Sequence, residues 1–146
     1  MKNSLEIVLR TIHRGSARRV VTLELDGNAP ADDFLTKIKR SNSAGFDSLR
    51  ARIRAVSDHD RYENKLTFRS LGGGLYEFKT KKTGIRLFAF YDEIEGQEPQ
   101  LVIVTSGVSK SKRQDVAIQK ARELKTEYLR RKALPETEIK IVELDP

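Results

Sequence analysis

The stretch from residue 75 to residue 106 constrains the fold most, because it holds three strand-length apolar runs in close succession. Residues 75–81 (L-Y-E-F-K-T-K) and 85–91 (I-R-L-F-A-F-Y) flank a turn built around Lys82-Thr83-Gly84. Glycine takes a positive φ without cost, so the pair predicts a hairpin. Residues 101–106 (L-V-I-V-T-S) are apolar on both faces of a strand. A strand of that kind must be covered from both sides, which places it centrally in a sheet.

The flanking segments supply the rest of the domain. Residues 4–12 and 19–25 have strand-like apolar content, with residues 13–17 (H-R-G-S-A) as a turn. D-G-N-A-P-A-D-D then announces a helix, with Asn28 as its cap, Pro30 in the first turn, and Asp32 and Asp33 complementing the N-terminal dipole. Phe34, Leu35 and Ile38 form its apolar face, and residues 41–45 end it. Phe46, Leu49, Ile53 and Val56 make the single stripe of a second helix, ended by residues 58–64; Arg50, Arg52 and Arg54 lie off the stripe as a solvated face. L-G-G-G at residues 71–74 is a break into the first strand of the meander, without the lysine and hydroxyl of a phosphate-binding loop. Ala117, Ala121, Leu124 and Tyr128 mark a terminal helix that fades near Ala133. The acidic tail beyond it either adds an edge strand or stays loose. The order predicts an α+β domain with an antiparallel-dominated β-sheet, two N-terminal helices and a C-terminal helix.

Length and composition set the bounds. A chain of 146 residues, 38% hydrophobic and 34% charged, fits one soluble domain with a single core. It has no cysteine, which excludes disulfides and thiolate metal sites and fits a reducing, cytoplasmic setting. No apolar run approaches the roughly 18 residues of a membrane span. The N-terminus has an acid inside its short apolar stretch and no small-residue cleavage site, so it does not read as a signal peptide, and no membrane association is expected.

The net charge of +7 is distributed in blocks. Residues 1–19 carry a net of +4, residues 20–103 are neutral, residues 104–132 carry +6 and residues 133–146 carry −3. Blocks of that size suit a polyanionic partner, and equally plain solubility.

Chemistry concentrates on the hairpin. Side chains alternate along a strand, so a loop of two residues sets Lys81 opposite Arg86 and a loop of four sets Lys79 there. In either even register Lys79, Lys81 and Arg86 share a face, partly neutralised by Glu77, whereas a three-residue loop puts Arg86 on the other face unless a bulge restores it. Like charges across strands cost up to about 1 kcal/mol, and phosphate binding is one gain that offsets this. A second basic cluster, S-G-V-S-K-S-K-R, follows the central strand with Lys110, Lys112 and Arg113. Two cationic clusters on one face can hold a scissile phosphate and stabilise its transition-state charge. Of the two histidines, His13 and His59, nothing supports a metal pair, H-D-R-Y at His59 reads as a solvated helix end, and no cofactor is expected. Most aromatic residues read as core at strand spacing, with Tyr76 or Phe88 available to stack on a base.

Taken together, L-Y-E-F-K-T-K-K-T-G-I-R-L-F-A-F-Y resembles the central hairpin of the RelE-like toxins, a family of bacterial ribonucleases. F-R-S-L-G-G-G is similar to their lead-in, and L-V-I-V-T-S-G-V-S-K-S-K-R with the A-x-x-x-A-x-x-L helix is similar to the HigB-like, phage-associated branch. The resemblance runs from about residue 19 to 129, so residues 1–18 read as an N-terminal extension, 19–132 as the RelE-like toxin domain and 133–146 as an acidic tail outside it, whose net −3 charge suggests the hypothesis that it shields the basic surface.

The resemblance implies a RelE-like fold and a cytoplasmic toxin of a type II toxin–antitoxin pair. Such a toxin is a metal-independent endoribonuclease that cleaves mRNA, commonly on the ribosome, and is neutralised by a cognate antitoxin protein. It assigns Lys79 as base or phosphate ligand, Arg86 as stabiliser of the phosphate charge and Lys110 as a third catalytic cation. Lys81, Lys82, Lys112 and Arg113 would contact the RNA backbone. Some relatives have a tyrosine early in the last helix, where this chain reads D-V-A-I-Q. The resemblance also admits a gyrase-targeting toxin of the same fold. A non-catalytic nucleic-acid-binding module is the remaining alternative.

Overall fold

The computed structural model describes residues 5–59, 68–80, 82–96, 100–109 and 113–143. Two strands, β1 (Glu6–Arg14) and β2 (Arg18–Leu25), precede two helices, α1 (Pro30–Ser41) and α2 (Ser43–Asp58). Strands β3 (Phe68–Gly72), β4 (Leu75–Lys79), β5 (Arg86–Asp92) and β6 (Gln100–Val108) follow, then helix α3 (Gln114–Lys132) and strand β7 (Glu138–Val142). The described strands form one seven-stranded sheet in the order β3-β4-β5-β6-β2-β1-β7. Four of its pairings are antiparallel, while β2–β6 and β1–β7 are parallel. The chain is therefore a mixed α+β protein with a mostly antiparallel sheet.

The run that is apolar on both faces became β6, with three strands on either side. Alternation along β5 shows how the faces are divided. Leu87 and Ala89 point into a cluster with Ile38 of α1 and Leu49, Ile53 and Val56 of α2. Phe88 packs with Ala121 of α3, and Phe90 with Tyr128 of α3. Helices thus cover both faces, α1 and α2 on one side and α3 on the other. Each fully buried leucine or phenylalanine stabilises this layering by about 1.5–3 kcal/mol.

Several local expectations need correction. Residues 13 and 14 extend β1, whose register shifts between Thr11 and His13, so the turn is shorter than expected. Asn28 does not cap α1: its backbone pairs with Leu25, and the cap position is Ala29, with no side-chain bond. Pro30 does open the helix. The break between α1 and α2 is one residue, Asn42, whose side chain accepts from the Gly45 N–H at 3.0 Å. Gly45 belongs to α2. The L-G-G-G break is the turn of a further hairpin, because residues 68–72 form a strand that the apolar pattern did not announce. Arg122 and Lys125 of α3 donate to the carbonyls of Leu71, Gly72 and Gly73 and hold that turn against the helix.

The ends of the chain join the same sheet. Residues 1–18 supply β1 and residues 133–146 supply β7, which runs parallel to β1 as an edge strand. Ile139 and Ile141 pack onto the α3-side core. Glu143 accepts from buried Arg19 at 2.8 Å and lies 3.5 Å from Arg14. No described helix is long and apolar enough to cross a membrane.

Candidate functional site

The β4–β5 hairpin realises the four-residue loop. Thr80 N–H donates to the Ile85 carbonyl at 3.0 Å, and the Thr80 hydroxyl accepts from Ile85 N–H at 2.9 Å and bonds the Thr83 hydroxyl. Gly84 has φ 67°, a conformation that strains other residues. Lys79 and Arg86 are consequently direct cross-strand partners, and Val108 of β6 lies on the other side of Arg86. Lys81 lies outside the described residues, and Lys82 is exposed in the loop.

Period-two alternation puts Lys79 and Arg86 on the α3 side of the sheet with Glu77 and Phe88. Glu77 is 0% exposed. Its Oε1 accepts from Arg69 Nε at 2.7 Å, across the β3–β4 pairing. Its Oε2 lies 3.6 Å from an Arg86 terminal nitrogen, an ion pair too long for a hydrogen bond. Glu77 is thus held between two arginines, and it in turn fixes where the Arg86 guanidinium sits. Arg86 Nε and Glu77 Oε2 are buried with no hydrogen-bond partner among the described residues. The Arg86 side chain is 16% exposed. Lys79 is half-buried and makes no ion pair among the described residues. Arg86 therefore keeps donor capacity that its protein partners do not use.

The basic segment after β6 leaves the sheet beside this row, since β6 ends at Val108, the neighbour of Arg86. Arg113 is exposed at the start of α3 and 3.1 Å from Asp115. Lys110 and Lys112 lie outside the described residues. Of the expected residues, the fold brings Lys79 and Arg86 together and sets Arg113 at the head of α3.

Arg69 and the burial of Glu77 were missed. Their signal was available only after residues 68–72 were recognised as a strand, which pairs Arg69 with Glu77 by register. Phe88 cannot stack on a base, because α3 covers it completely. Tyr76 is half-buried, packed at 5.4 Å on the Phe68 ring and at 5.1 Å on Tyr91. Tyr128 is core, as expected: its hydroxyl donates to Asp92 at 2.6 Å, and burial with that bond pushes its pKa up. Among the described residues no group of histidine, aspartate and glutamate is arranged to hold a metal. His13 instead lies 3.6 Å from Asp58.

Comparison with protein-family models, with curated proteins and with solved structures gives no match for this chain.

Proposed function

We propose that the chain is a metal-independent endoribonuclease with a RelE-like fold, the cytoplasmic toxin of a type II toxin–antitoxin pair. One observation carries this reading: Lys79 stands directly across from Arg86 on one sheet face. Arg86 is paired with Glu77 at 3.6 Å, too long for a hydrogen bond, and its side chain is 16% exposed. A held guanidinium with spare N–H groups suits a phosphate, whose oxygens accept bidentate bonds. In the reaction, the ribose 2′-oxygen forms a bond to the adjacent phosphorus and the bond from phosphorus to the 5′-oxygen breaks. Lys79 as the neutral amine accepts the 2′-hydroxyl proton, or as the ammonium binds a phosphate oxygen while water takes that proton; Arg86 stabilises the added negative charge, and water returns a proton to the departing 5′-oxygen. The products are a cyclic phosphate and a free 5′-hydroxyl. Lys110 joins them as the third catalytic cation. Lys81, Lys82, Lys112 and Arg113 contact the backbone of mRNA on the ribosome, and the cognate antitoxin neutralises the toxin.

A second reading, a nucleic-acid-binding module that forms no product, is favoured by the charge that Glu77 already places beside Arg86. Induced expression in bacteria, with growth followed and new mRNA 5′ ends mapped, separates the readings. Arrest with new ends inside reading frames supports the nuclease. Arrest with intact mRNA points to gyrase or another protein target, and soluble protein without arrest points to the binding module. Arg86→Ala is expected to lower cleavage on the order of a hundredfold or more. Glu77 keeps Arg69 in that variant, so the fold should persist. Full toxicity of a well-expressed Arg86→Ala protein would sink the catalytic assignment.

A further inference from the structure

A chemical contrast outside the hairpin lies between α1, α2 and β1. A half-open groove of about 450 Å³ runs there, with Ile12, Leu35, Phe46, Leu49 and Ile53 among its apolar lining. Leu49 and Ile53 are buried by the fold, whereas Ile12, Leu35 and Phe46 are only partly covered. The volume falls in the range of pockets that take a ligand or the anchoring side chains of a peptide.

The rim is cationic and unspent. Lys39, Arg50 and Arg54 border the groove, and all three are exposed. Lys39 Nζ and the Arg50 guanidinium lie 5.8 and 5.9 Å from the Phe46 ring centre, so both charges are drawn to the apolar floor. Arg50 has only Asp47, at 4.0 Å, as an ion-pair neighbour. Lys39 and Arg54 form no ion pair among the described residues. The lining includes one carboxylate, Asp32, and it is already engaged by the Thr22 hydroxyl at 2.7 Å and by Arg10 at 3.7 Å. Arg50 and Arg54 stand one turn apart on α2, a like-charge pair that slightly destabilises an isolated helix. An occupant with acidic flanks removes that cost.

We propose that this groove docks an acidic amphipathic helix of a partner protein. Apolar side chains at i, i+3, i+4 and i+7 fill the floor, and carboxylates on either side meet Lys39, Arg50 and Arg54. A nucleic acid satisfies the cations but leaves the apolar floor without a partner. The groove is on the α1–α2 face, opposite the face of Lys79 and Arg86, so a helix bound there leaves the hairpin cations uncovered. The inference does not depend on the nuclease reading.

The test uses the full chain, isotopically labelled, and a synthetic peptide with leucines at i, i+3, i+4 and i+7 and glutamates elsewhere. The expected result is saturable binding, with amide shifts centred on Leu35, Phe46 and Ile53. The double variant Arg50→Glu, Arg54→Glu should bind roughly tenfold more weakly or worse, with unchanged thermal stability. Those side chains are exposed, so their loss does not disturb the core. Equal binding of a lysine-for-glutamate peptide overturns the proposal, as does no binding or perturbation confined to other surfaces. Binding of phosphatidylglycerol vesicles through the same residues replaces it with a membrane-surface role.

Discussion

Glu77 shows how one buried carboxylate organises the hairpin face. Removed from water, its charge is tolerable because Arg69 bonds one oxygen at 2.7 Å and Arg86 lies 3.6 Å from the other. Glu77→Gln keeps the shape but removes the charge, leaving Arg86 less well placed. We expect it to cost about 1–3 kcal/mol of stability, read by urea denaturation. On the proposed nuclease reading, and under conditions where the variant remains folded, RNA cleavage should also fall roughly tenfold or more, which a purely structural role does not require. Tyr128 belongs to the same scale but a different task. Its hydroxyl bonds Asp92, which Lys132 also engages at 2.8 Å. Tyr128→Phe should cost about 1 kcal/mol, measured the same way, and on the proposed nuclease reading leave cleavage intact.

Among the elements, α3 is fastened at its C-terminal end by charge. Arg131 donates to Asp26 at 2.6 and 3.1 Å and to Glu127 at 2.7 Å, tying the end of the helix to the turn before α1. Hydrogen bonds from Arg130 and then Arg131 hold the Glu127 pKa down at about 2. The Asp26 carboxyl is likewise lowered, chiefly by its bond from Arg131. A depressed carboxylate pKa contributes stability above the unfolded value, and that contribution is lost as pH falls through the folded one. The urea midpoint should therefore drop as pH falls from about 4.5 to about 2, and Glu127→Gln should flatten part of that slope. Strand β6 meets α1 at a different kind of constraint. A Cβ on Gly107 would lie 2.4 Å from the Phe34 ring and 3.0 Å from the Arg86 carbonyl. Gly107→Ala should cost about 1–3 kcal/mol in the same unfolding measurement.

For the whole molecule, the strand order separates the two ends of the charge distribution. Three strands, β6, β2 and β1, stand between β5 and β7. Adjacent strands are about 4.8 Å apart, so β7 is roughly 19 Å from Arg86. Glu143 pairs with Arg14 and Arg19 at that far edge, so this acid of the tail does not shield the hairpin cations. Its contribution is to the sheet. Deleting residues 133–146 removes β7, its apolar contacts and the partner of Arg19, and should lower the unfolding free energy by about 2–4 kcal/mol in a urea titration.

The amino-acid order alone specified the helices α1, α2 and α3, the hairpin with Gly84, the central place of β6 and the shared face of Lys79 and Arg86. These follow from local periods: apolar residues repeat at about 3.6 in a helix and side chains alternate at 2 in a strand. Tertiary structure decided what depends on partners far along the chain. Strand β3 is defined by its ladder to β4, which sets Arg69 opposite Glu77, and β4 lies between β3 and β5. Residues 1–18 and 133–146 were set apart because they lie outside the family resemblance, yet β1 and β7, distant in sequence, pair with each other in the sheet. The same is true of the groove, whose cations read as an ordinary solvated face until α1 and β1 enclosed an apolar floor beside them. A ladder partner or a facing helix leaves no periodic mark in the segment that it completes, so only the assembled sheet reveals it.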